Sequence, residues 1–483
     1  MTGRHLLIRA DASPKIGFGH VSRCLALAEF WRTCGGEVTL LTREPSSGVR
    51  ERANRMGIEL TELRSEPGSS QDAIETASFP AAWTILDGYN FNSDFQRQIK
   101  DAGKRLLVFD DCGLLESYSA DFILNQNIGA NAAMYRDRAP ETRLLLGSRY
   151  TQIRGELLRS RQPPRPVPEI VNRILITTGG ADPANVTSAI LEQLSAFQVI
   201  AIIGPENPNF EQLRERFPGV EFLRNPPNIA EVMSQADLAL TAAGATAWEL
   251  SFLGVPVVVI AIAENQRSNA ELLDRFGAGW LASISGAGAE LATLAGDGEA
   301  RRKMVSVQRM LFDGRGSLRT WLRLNEESLR LRPATESDAR LIWRWANDPG
   351  ARAASFAQEP IPWDNHVAWF QKKIRDSNCH LWIAELTEPI GQIRFDIEGD
   401  ESVLSVSLDS RFRGKNLGTL LVAAAVRKFL AETGVDLIHA HVRPENNASA
   451  RLFEKADFRR AGETTVKGQR ALHFSFDRAN LEL

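Results

Sequence analysis

A histidine near the start of the chain follows a glycine-rich turn, at a point where a strand pattern gives way to a helix pattern. In the segment RHLLIRADASPKIGFGHVSRCLALAEFW, an apolar run is followed by Gly17, Gly19 and His20. Glycine permits a positive φ and a close approach of the backbone to a ligand. A helix N-terminus attracts anions, and an imidazole can exchange a proton near neutral pH. The segment predicts an enzyme that acts on a phosphate-bearing substrate, the alternative being that His20 only caps the helix.

Polar side chains also follow several predicted strands in the first third of the chain. They are Asp11, Tyr89 in the sequence DGY, the Asp110–Asp111 pair and Asn125 in the sequence NQN. Because ligands bind beyond the carboxyl ends of parallel strands, we expect these residues to meet at one cleft. The alternative is ordinary turn chemistry, for which Asp and Asn are common. The aspartate pair would also suit Mg²⁺, but we expect helix termini and backbone amides, without a metal, to bind the phosphates.

A glycine-bearing loop in the middle third of the chain, TTGGADPAN, follows a predicted strand and leads into a helix near Asp182. Gly179 and Gly180 can place backbone N–H groups on a diphosphate. Further along, Asn228 precedes another predicted helix and could present backbone groups to a ligand. The loop suggests that this region binds a phosphate group.

A second loop, within AAGATAWELSFLGVPVVVIAIAENQ, opens a helix at Gly244 and Thr246. Glu249 lies within the first two turns of that helix, where the alternative is an ordinary solvated residue. We expect the strand that follows to end at Asn265 and Gln266. All five residues are candidates for ligand binding.

Strand patterns alternate with helix patterns on both sides of a proline-rich stretch at residues 161–169. The first set of predicted strands is His5–Arg9, Glu37–Leu41, Trp83–Leu86, Arg105–Phe109 and Phe122–Leu124. The second set is Arg173–Thr177, Phe197–Ile203, Val220–Phe222, Leu238–Thr241 and Val255–Ile260. Two successive βαβ sets predict two Rossmann-like domains, over residues 1–160 and 170–325.

The pattern changes near Glu326, after which β-like runs precede and follow single helices. The predicted strands are His380–Glu385, Pro389–Ile397, Ser402–Leu408 and Leu437–Val442, and the predicted helices are Leu417–Thr433 and Ala448–Lys455. These elements predict a mixed domain over residues 329–476. The fold class expected is α/β, with two Rossmann-like domains followed by an α+β domain.

The composition is that of a globular protein, and 483 residues suit about three domains at roughly 150 residues each. A net charge of −3 leaves no basic surplus for a nucleic-acid partner. The four cysteines lack metal-ligand spacing, as expected of free thiols in the cytoplasm. No signal-peptide pattern is present, and the longest apolar run, Val255–Ala263, is too short to cross a membrane. We therefore expect a cytoplasmic protein with no membrane or nucleic-acid partner.

The motifs of residues 4–325 resemble, in order, those of the UDP-sugar hydrolases of pseudaminic acid biosynthesis. The matching segments are RADASPKIGFGHVSRCLALA, LDGYNF, DDCG, LNQN and LLGSRYTQIRGEL. The resemblance implies a glycosyltransferase-B fold and hydrolysis of UDP-2,4-diacetamido-2,4,6-trideoxy-β-L-altropyranose to UDP and free sugar. It implies that His20 is the base that takes a proton from water, and that Asp11 and Tyr89 position sugar or water.

The same resemblance places Gly17, Gly19, Arg23 and Asn125 among the substrate-binding residues. The segment 242–266 also looks like the uridine-nucleotide site of the N-acetylglucosaminyltransferase that makes lipid II. That likeness implies that the helix starting near Gly244 meets phosphate, that Glu249 binds both ribose hydroxyls, and that Asn228 lies at the uracil.

Two motifs of the C-terminal region resemble those of GCN5-related N-acetyltransferases. They are SLDSRFRGKNLGTLLVAAAV and VRPENNASARLFEKADF. The resemblance, over about residues 329–476, implies that acetyl-CoA binds there as a co-substrate. The residues implied to bind it are Arg413, Gly414, Lys415, Leu417, Gly418 and Asn446.

Two residues depart from the acetyltransferase pattern. Asn416 stands where the family usually has glycine, although asparagine tolerates a positive φ better than most residues. Phe453 stands where the family has its general-acid tyrosine, and all four tyrosines of the chain lie before residue 151. Water, His441 or a carboxylate would have to protonate the CoA thiolate instead, or the module binds its ligand without turnover.

The expected function is hydrolysis of the UDP-sugar, with N-acetylation of its 4-amino precursor by the C-terminal domain. The alternative is a UDP-sugar-dependent glycosyltransferase that carries a non-catalytic acyl-CoA-binding module.

Overall fold

The computed structural model describes residues 5–12, 18–160, 166–179, 182, 184–194, 197–204, 207–224, 226 and 228–481, except for the side chain of residue 265. The chain divides into two compact units, residues 1–320 and 321–483.

The first unit begins with a parallel sheet whose strand order is β3-β2-β1-β4-β5-β6-β7. Its strands are β1 (His5–Ala10), β2 (Glu37–Thr42), β3 (Glu59–Glu62), β4 (Trp83–Asp87), β5 (Leu106–Phe109), β6 (Phe122–Asn125) and β7 (Arg143–Leu146). The central strands are almost continuously buried and apolar, as strands covered on both faces must be. We call this sheet and its helices the first lobe.

Short helices cover the first sheet, and side chains cap several of them. They are α1 (Gly19–Thr33), α2 (Ser47–Arg55), α3 (Ser70–Ser78), α4 (Ser93–Asp101) and α5 (Gly155–Ser160). The side chains of Ser46, Ser69 and Asn92 accept hydrogen bonds from first-turn N–H groups of α2, α3 and α4. Phe18, the residue before α1, has no side chain that can do this, so the first turn of α1 remains uncapped.

A second parallel sheet in the same unit has the order β10-β9-β8-β11-β12-β13. Its strands are β8 (Arg173–Thr177), β9 (Gln198–Ile203), β10 (Glu221–Arg224), β11 (Leu238–Ala242), β12 (Val257–Ile260) and β13 (Trp280–Leu281). Its helices are α6 (Val186–Leu191), α7 (Phe210–Arg216), α8 (Ile229–Ser234), α9 (Ala245–Leu253), α10 (Glu264–Arg275), α11 (Ala287–Gly296), α12 (Gly298–Leu311) and α13 (Gly316–Asn325). We call this sheet with α6–α12 the second lobe.

Both parallel sheets have the Rossmann-like arrangement expected from the sequence, in which the strand order reverses beside the first strand. Strands β1 and β4 pair at the reversal in the first sheet, and β8 and β11 pair at the reversal in the second. Ligands of such sheets bind at these reversals. One expectation was wrong: β12 ends at Ile260, and Asn265 and Gln266 lie in the first turn of α10.

The second unit contains a mixed sheet of order β14-β15-β16-β17-β18-β20-β19. Its strands are β14 (Arg330–Pro333), β15 (Cys379–Glu385), β16 (Pro389–Glu398), β17 (Glu401–Leu408), β18 (Leu437–Val442), β19 (Arg459–Val466) and β20 (Gln469–Asp477). Its helices are α14 (Ala339–Ala346), α15 (Pro349–Ala354), α16 (Trp363–Arg375), α17 (Leu417–Glu432) and α18 (Asn447–Lys455). Strands β17 and β18 pair in parallel only as far as Leu404 and Ala440, although both run further.

Candidate functional site

A cleft of about 470 Å³ opens in the first unit where the carboxyl ends of strands from both lobes face each other. After β1 comes His20, after β4 comes Tyr89, and after β6 comes Asn127, all three in the wall of the cleft. From the second lobe, Gly179 follows β8 and Gly244 follows β11. The cleft therefore collects the strand-end residues that the sequence places far apart.

His20 and Arg23 share one buried carboxylate, that of Asp87 at the end of β4. Oδ1 of Asp87 lies 2.5 Å from Nδ1 of His20, and its Oδ2 accepts a hydrogen bond of 2.7 Å from Nε of Arg23. An ionised carboxylate can only accept, so Nδ1 of His20 donates to Asp87, and in the neutral imidazole Nε2 is then the acceptor nitrogen. Asp87 thus fixes both the orientation and the tautomer of a cleft-lining imidazole.

Asp87 is ionised despite being completely buried. Burial alone would raise the pKa of its carboxyl group, but the charges and hydrogen bonds of Arg23 and His20 outweigh burial and hold the pKa well below its usual range. Arg23 in turn donates to Asp111 over 2.6 Å, and Asp111 and Asp87 raise the pKa of its guanidinium against the effect of burial. The site keeps a fixed negative charge behind His20.

Tyr89 and Asp11, the other two candidate catalytic residues, lie in different surroundings. The ring of Tyr89 contacts the ring of His20 edge-on, with 5.1 Å between centroids, and lines the cleft. Asp11 is not among the described cleft-lining residues. Its Oδ1 accepts hydrogen bonds from Arg9 (2.6 Å) and from the backbone N–H of Arg43 (2.7 Å). The structure therefore places Asp11 beside β2, in the buried ion-pair network of Arg9.

Asn125 is also not among the described cleft-lining residues; it lies behind the loop that lines the cleft. It is fully buried, donates to the hydroxyl of Tyr135 over 2.8 Å and accepts from the N–H of Asn127. The hydroxyl of Tyr135 donates in turn to Asp110, whose other oxygen accepts from Tyr118. Asn125 thus shapes the loop that carries Asn127 into the cleft, and its contact with substrate stays a prediction.

The two residues of the Asp110–Asp111 pair have separate partners. Asp110 accepts from backbone N–H groups and tyrosine hydroxyls, while Asp111 forms an ion pair with Arg23. In the part of the chain that the structure describes, no group of three or more His, Cys, Asp or Glu residues is placed to hold a metal ion.

In the second lobe, Gly244 is the residue before α9, and Thr246 and Glu249 follow on that helix. All three line the cleft. Gly244 has no side chain to cap α9, so backbone N–H groups of its first turn are not covered by a cap. Helix α9 ends at Gly254, whose φ of 76° terminates it in the left-handed region. The geometry suits an anion at the start of α9.

Glu249 forms a bidentate ion pair with Arg154, a residue that connects the two lobes. Nε and Nη2 of Arg154 each lie 2.5 Å from one carboxylate oxygen of Glu249. Burial lowers the pKa of the Arg154 guanidinium, but Glu249 raises it more. Each oxygen of Glu249 keeps a second lone pair, so the carboxylate can accept further hydrogen bonds from hydroxyl groups.

The remaining candidates of the second lobe divide into those in the cleft and those outside it. Gly179, with a φ of 103°, and Gln266 line the cleft. Gln266 accepts from the N–H of Ile262 over 3.1 Å. Asn228 is not among the described lining residues, and its side chain caps α8 through Glu231. Gly19 lines the cleft at the start of α1, whereas Gly17, Gly180 and the side chain of Asn265 lie outside the described residues.

A hydrogen bond between two asparagines joins the lobes across the cleft. Nδ2 of Asn269, on α10, donates to Oδ1 of Asn127 over 3.1 Å. Nδ2 of Asn127 donates to the backbone carbonyl of Asp111 over 3.1 Å. Asn127 thus contacts both the second lobe and the residue that holds Arg23.

Sequence reasoning missed several residues of the cleft as site residues. Asp87 stands in the quoted DGY motif, and its position at a strand end is a signal that could have identified it. Arg154 belongs to the quoted LLGSRYTQIRGEL segment, but its pairing with Glu249 spans 95 positions. Arg52 on α2 and Asn269 on α10 carry no local signal, because polar residues on helices are ordinarily solvated.

In the second unit, the loop before α17 has the backbone form expected of the RGKNLG motif. Gly414 has a φ of 79°, and Asn416, at φ 56°, is the N-cap of α17. Oδ1 of Asn416 accepts from Lys455 over 2.8 Å and does not cap the helix. The first N–H groups of α17, including those of Leu417 and Gly418, are thus not covered by the cap residue, and they fit an anionic phosphate group.

Some side chains of this region already form hydrogen bonds within the domain. Arg413 donates to the carbonyl of Leu408 and, over 2.7 Å, to Asp348. Asn446 caps α18 by accepting from the N–H of Ser449. The side chain of Lys415 is half-buried beside the loop. We therefore expect the backbone, more than Arg413, to contact a bound diphosphate.

Phe453, at the position of the family tyrosine, is a core residue of α18. Its ring packs against Phe458 and Phe474, at centroid distances of 5.2 and 5.9 Å. His441 lies on β18, one residue beyond its last pairing with β17, and stacks on His473.

Among the described residues, no helix has the length and apolar character needed to cross a membrane.

Two family models match separate parts of the chain. Residues 174–292 match the glycosyltransferase family 28 C-terminal domain, and residues 328–459 match an acetyltransferase (GNAT) domain. The first match covers most of the second lobe, and the second covers the loop before α17.

Among relatives, an uncharacterized protein of Methanocaldococcus jannaschii is 25% identical over 491 residues, covering 96% of this chain and 98% of that protein. The UDP-2,4-diacetamido-2,4,6-trideoxy-β-L-altropyranose hydrolase of Campylobacter jejuni is 27% identical over 282 residues, covering 56% of this chain and 97% of that protein. A crystal structure of aminoglycoside acetyltransferase AAC(6')-Ib with coenzyme A is similar at 24% identity and a TM-score of 0.30, covering 32% of this chain and 97% of that one. The chain is thus similar to the glycosyltransferase family 28 C-terminal domain in its second lobe and to GNAT domains in its second unit.

Proposed function

We propose that residues 1–325, as two Rossmann-like domains in a glycosyltransferase-B arrangement, hydrolyse UDP-2,4-diacetamido-2,4,6-trideoxy-β-L-altropyranose to UDP and free sugar in the cytoplasm. Residues 329–476 transfer an acetyl group from acetyl-CoA to the 4-amino precursor of that UDP-sugar. One observation carries the proposal: His20, oriented by Asp87, lies in the same cleft as the uncapped start of α9 and Glu249. The similarity to the Campylobacter jejuni hydrolase supports the choice of substrate.

In the proposed hydrolysis, Nε2 of His20 takes a proton from a water molecule, and the water oxygen forms a bond to the anomeric carbon. The bond between that carbon and the phosphate oxygen breaks, and UDP leaves with the electron pair. Asp87 stabilises the imidazolium that forms. Backbone N–H groups at the start of α9 stabilise the charge on the leaving diphosphate, and Glu249 accepts hydrogen bonds from the ribose.

The decisive test is incubation with the UDP-sugar in the absence of any acceptor. The proposal expects equimolar UDP and free sugar, measured by chromatography and mass spectrometry. A matched pair of variants accompanies it: His20→Gln should abolish release, and Asp94→Asn, an exposed acid of α4, should leave it unchanged. Full activity of the His20→Gln variant would contradict the proposal that His20 is the general base.

The match to glycosyltransferase family 28 favours a second candidate, a transferase that passes the sugar to an acceptor hydroxyl. It expects intact UDP-sugar in water and UDP release only when an acceptor is added. In that second candidate, the GNAT domain binds acyl-CoA without turnover, because Phe453 replaces the family's general-acid tyrosine.

The acetylation half of the proposal has its own test. Calorimetry with acetyl-CoA measures binding, and mass spectrometry of the 4-amino UDP-sugar with acetyl-CoA measures transfer. Binding followed by a mass gain of one acetyl group supports catalysis. Binding without transfer reduces the domain to a binding module.

A further inference from the structure

Arg52 on α2 is a cation in the cleft whose donors are only partly used. Its Nη1 donates to Oγ of Ser22 over 3.1 Å. Its Nη2 is shielded from solvent and has no hydrogen-bond partner. Arg52 lines the same cleft as His20 and Glu249. A buried charged donor without a partner, on a residue that lines a ligand cleft, costs the protein free energy unless a ligand pairs with it.

The acids nearest to Arg52 already have other partners. Glu249 and Glu156 both accept from Arg154, and Glu29 accepts from Arg159 and from the N–H of Gly155. No carboxylate of the described residues forms an ion pair with Arg52. Within this cluster, Arg52 is the cation that remains without an anion.

Neighbouring charges act on the Arg52 guanidinium in both directions. Burial lowers the pKa of the Arg52 guanidinium, the charge of Arg154 lowers it further, and the three glutamates oppose both effects. An anion placed between Arg52 and Arg154 would relieve the repulsion between them. A phosphate oxygen is suited to this position, since arginine donates paired hydrogen bonds to phosphate.

We propose that Arg52 binds a phosphate oxygen of the nucleotide diphosphate, so that the first lobe as well as the second holds the nucleotide. This inference rests on the proposed function, since it takes the cleft to be the site of the UDP-sugar. It assigns the recognition of the diphosphate to a side chain of α2 in addition to the backbone of α9. Ser22 holds the guanidinium in place for that contact.

The test is calorimetry of the full-length protein with UDP and with uridine, which lacks the diphosphate. Arg52→Gln should weaken UDP binding by about 10- to 100-fold, the usual effect of a hydrogen bond to a charged group, and leave uridine binding unchanged. Arg52→Lys, which keeps the charge but loses the planar fork, should fall between the two. Arg50→Gln is the matched control, because Arg50 lies on the same helix and pairs with Glu62 outside the cleft.

Two results with the Arg52→Gln variant would overturn the inference, and so would a wild-type protein that does not bind UDP. One is unchanged UDP affinity in Arg52→Gln, which would mean that a protein carboxylate or water satisfies Nη2. The other is an equal loss of UDP and uridine binding, which would indicate a structural role; thermal unfolding of each variant checks that it folds. Hydrolysis is assayed separately. If the wild-type protein binds UDP through Arg52 but releases no sugar, the proposed function is wrong and this inference stands. A wild-type protein that does not bind UDP removes this inference.

Discussion

Oδ1 of Asp87 lies 2.5 Å from Nδ1 of His20, and the same carboxylate binds Arg23 through both oxygens. The acid therefore orients the imidazole and is itself kept ionised by the guanidinium. Because Asp87 is fully buried, its carboxylate oxygens are shielded from the water in the cleft.

Asp87→Asn should lower kcat for UDP-sugar hydrolysis by about 10²- to 10⁴-fold, because an amide can hold His20 in the wrong tautomer. The affinity for UDP should change little, since Asp87 lies behind the imidazole and not against the nucleotide. Steady-state kinetics and calorimetry measure the two quantities. A loss confined to KM would contradict the positioning role.

Arg154→Met should lower the free energy of unfolding by about 3–5 kcal/mol, because it leaves the buried carboxylate of Glu249 without its partner. Arg159→Met is the control: Arg159 is exposed and also pairs with a glutamate, so its loss should cost at most about 1 kcal/mol. Urea unfolding followed by circular dichroism compares the two. Equal effects would show that Glu249 is well solvated.

Asn416→Gly should retain acetyl-CoA binding, whereas Asn416→Val should weaken it. The backbone of residue 416 has a φ of 56°, which glycine adopts freely and which costs most other residues about 1–2 kcal/mol. Both variants lose the hydrogen bond to Lys455, so their difference reports the backbone alone. Calorimetry with acetyl-CoA measures it, and equal affinities would mean that the loop tolerates strain.

The second unit should lose stability as the pH falls below about 6.5. Burial lowers the pKa of His441 and of His473, and neighbouring histidines lower both further. The unfolded chain then binds more protons than the folded chain, so stability rises with pH across this window. The acids with a lowered pKa, such as Asp409 at about 2, contribute only at lower pH.

Thermal unfolding of the full-length protein between pH 5 and 8 measures this dependence. The double variant His441→Gln, His473→Gln should reduce the slope between about pH 5 and 7, and His366, whose pKa burial also lowers, should account for part of the slope that remains. His5→Gln, in the first unit, serves as the control. An identical slope in the wild type and the double variant would show that these histidines are not its source.

Much of the fold was predictable because buried parallel strands are continuous apolar runs. The predicted strand at Arg173–Thr177 has the observed bounds, and most others differ by one or two residues at an end. The strands that sequence reasoning missed include β3 and β19, which are largely exposed and polar, and β13, which has two residues. These strands lie at the edges of their sheets, where they are less covered by other elements, so their sequences lack a continuous apolar run.

The candidate site was predictable where a polar or glycine residue follows a strand, or lies on the helix that such a loop opens, as Glu249 does. His20, Tyr89, Gly179 and Gly244 follow strands and lie in the cleft. Asp11 and Asn125 also lie at the ends of strands, but they are hydrogen-bonded to Arg9 and Tyr135 and are not among the described cleft-lining residues. Arg52 and Asn269 reach the cleft from helix faces, where only the tertiary arrangement separates a binding residue from a solvated one.

The hydrogen bond between Asn269 and Asn127 has a mechanical consequence. Asn127 contacts Asp111, Asp111 holds Arg23, and Arg23 and His20 share Asp87. An unbroken path of polar contacts thus runs from α10 in one lobe to the imidazole in the other. We therefore expect the spacing of the lobes to affect the orientation of His20, because both lobes contribute side chains to this path.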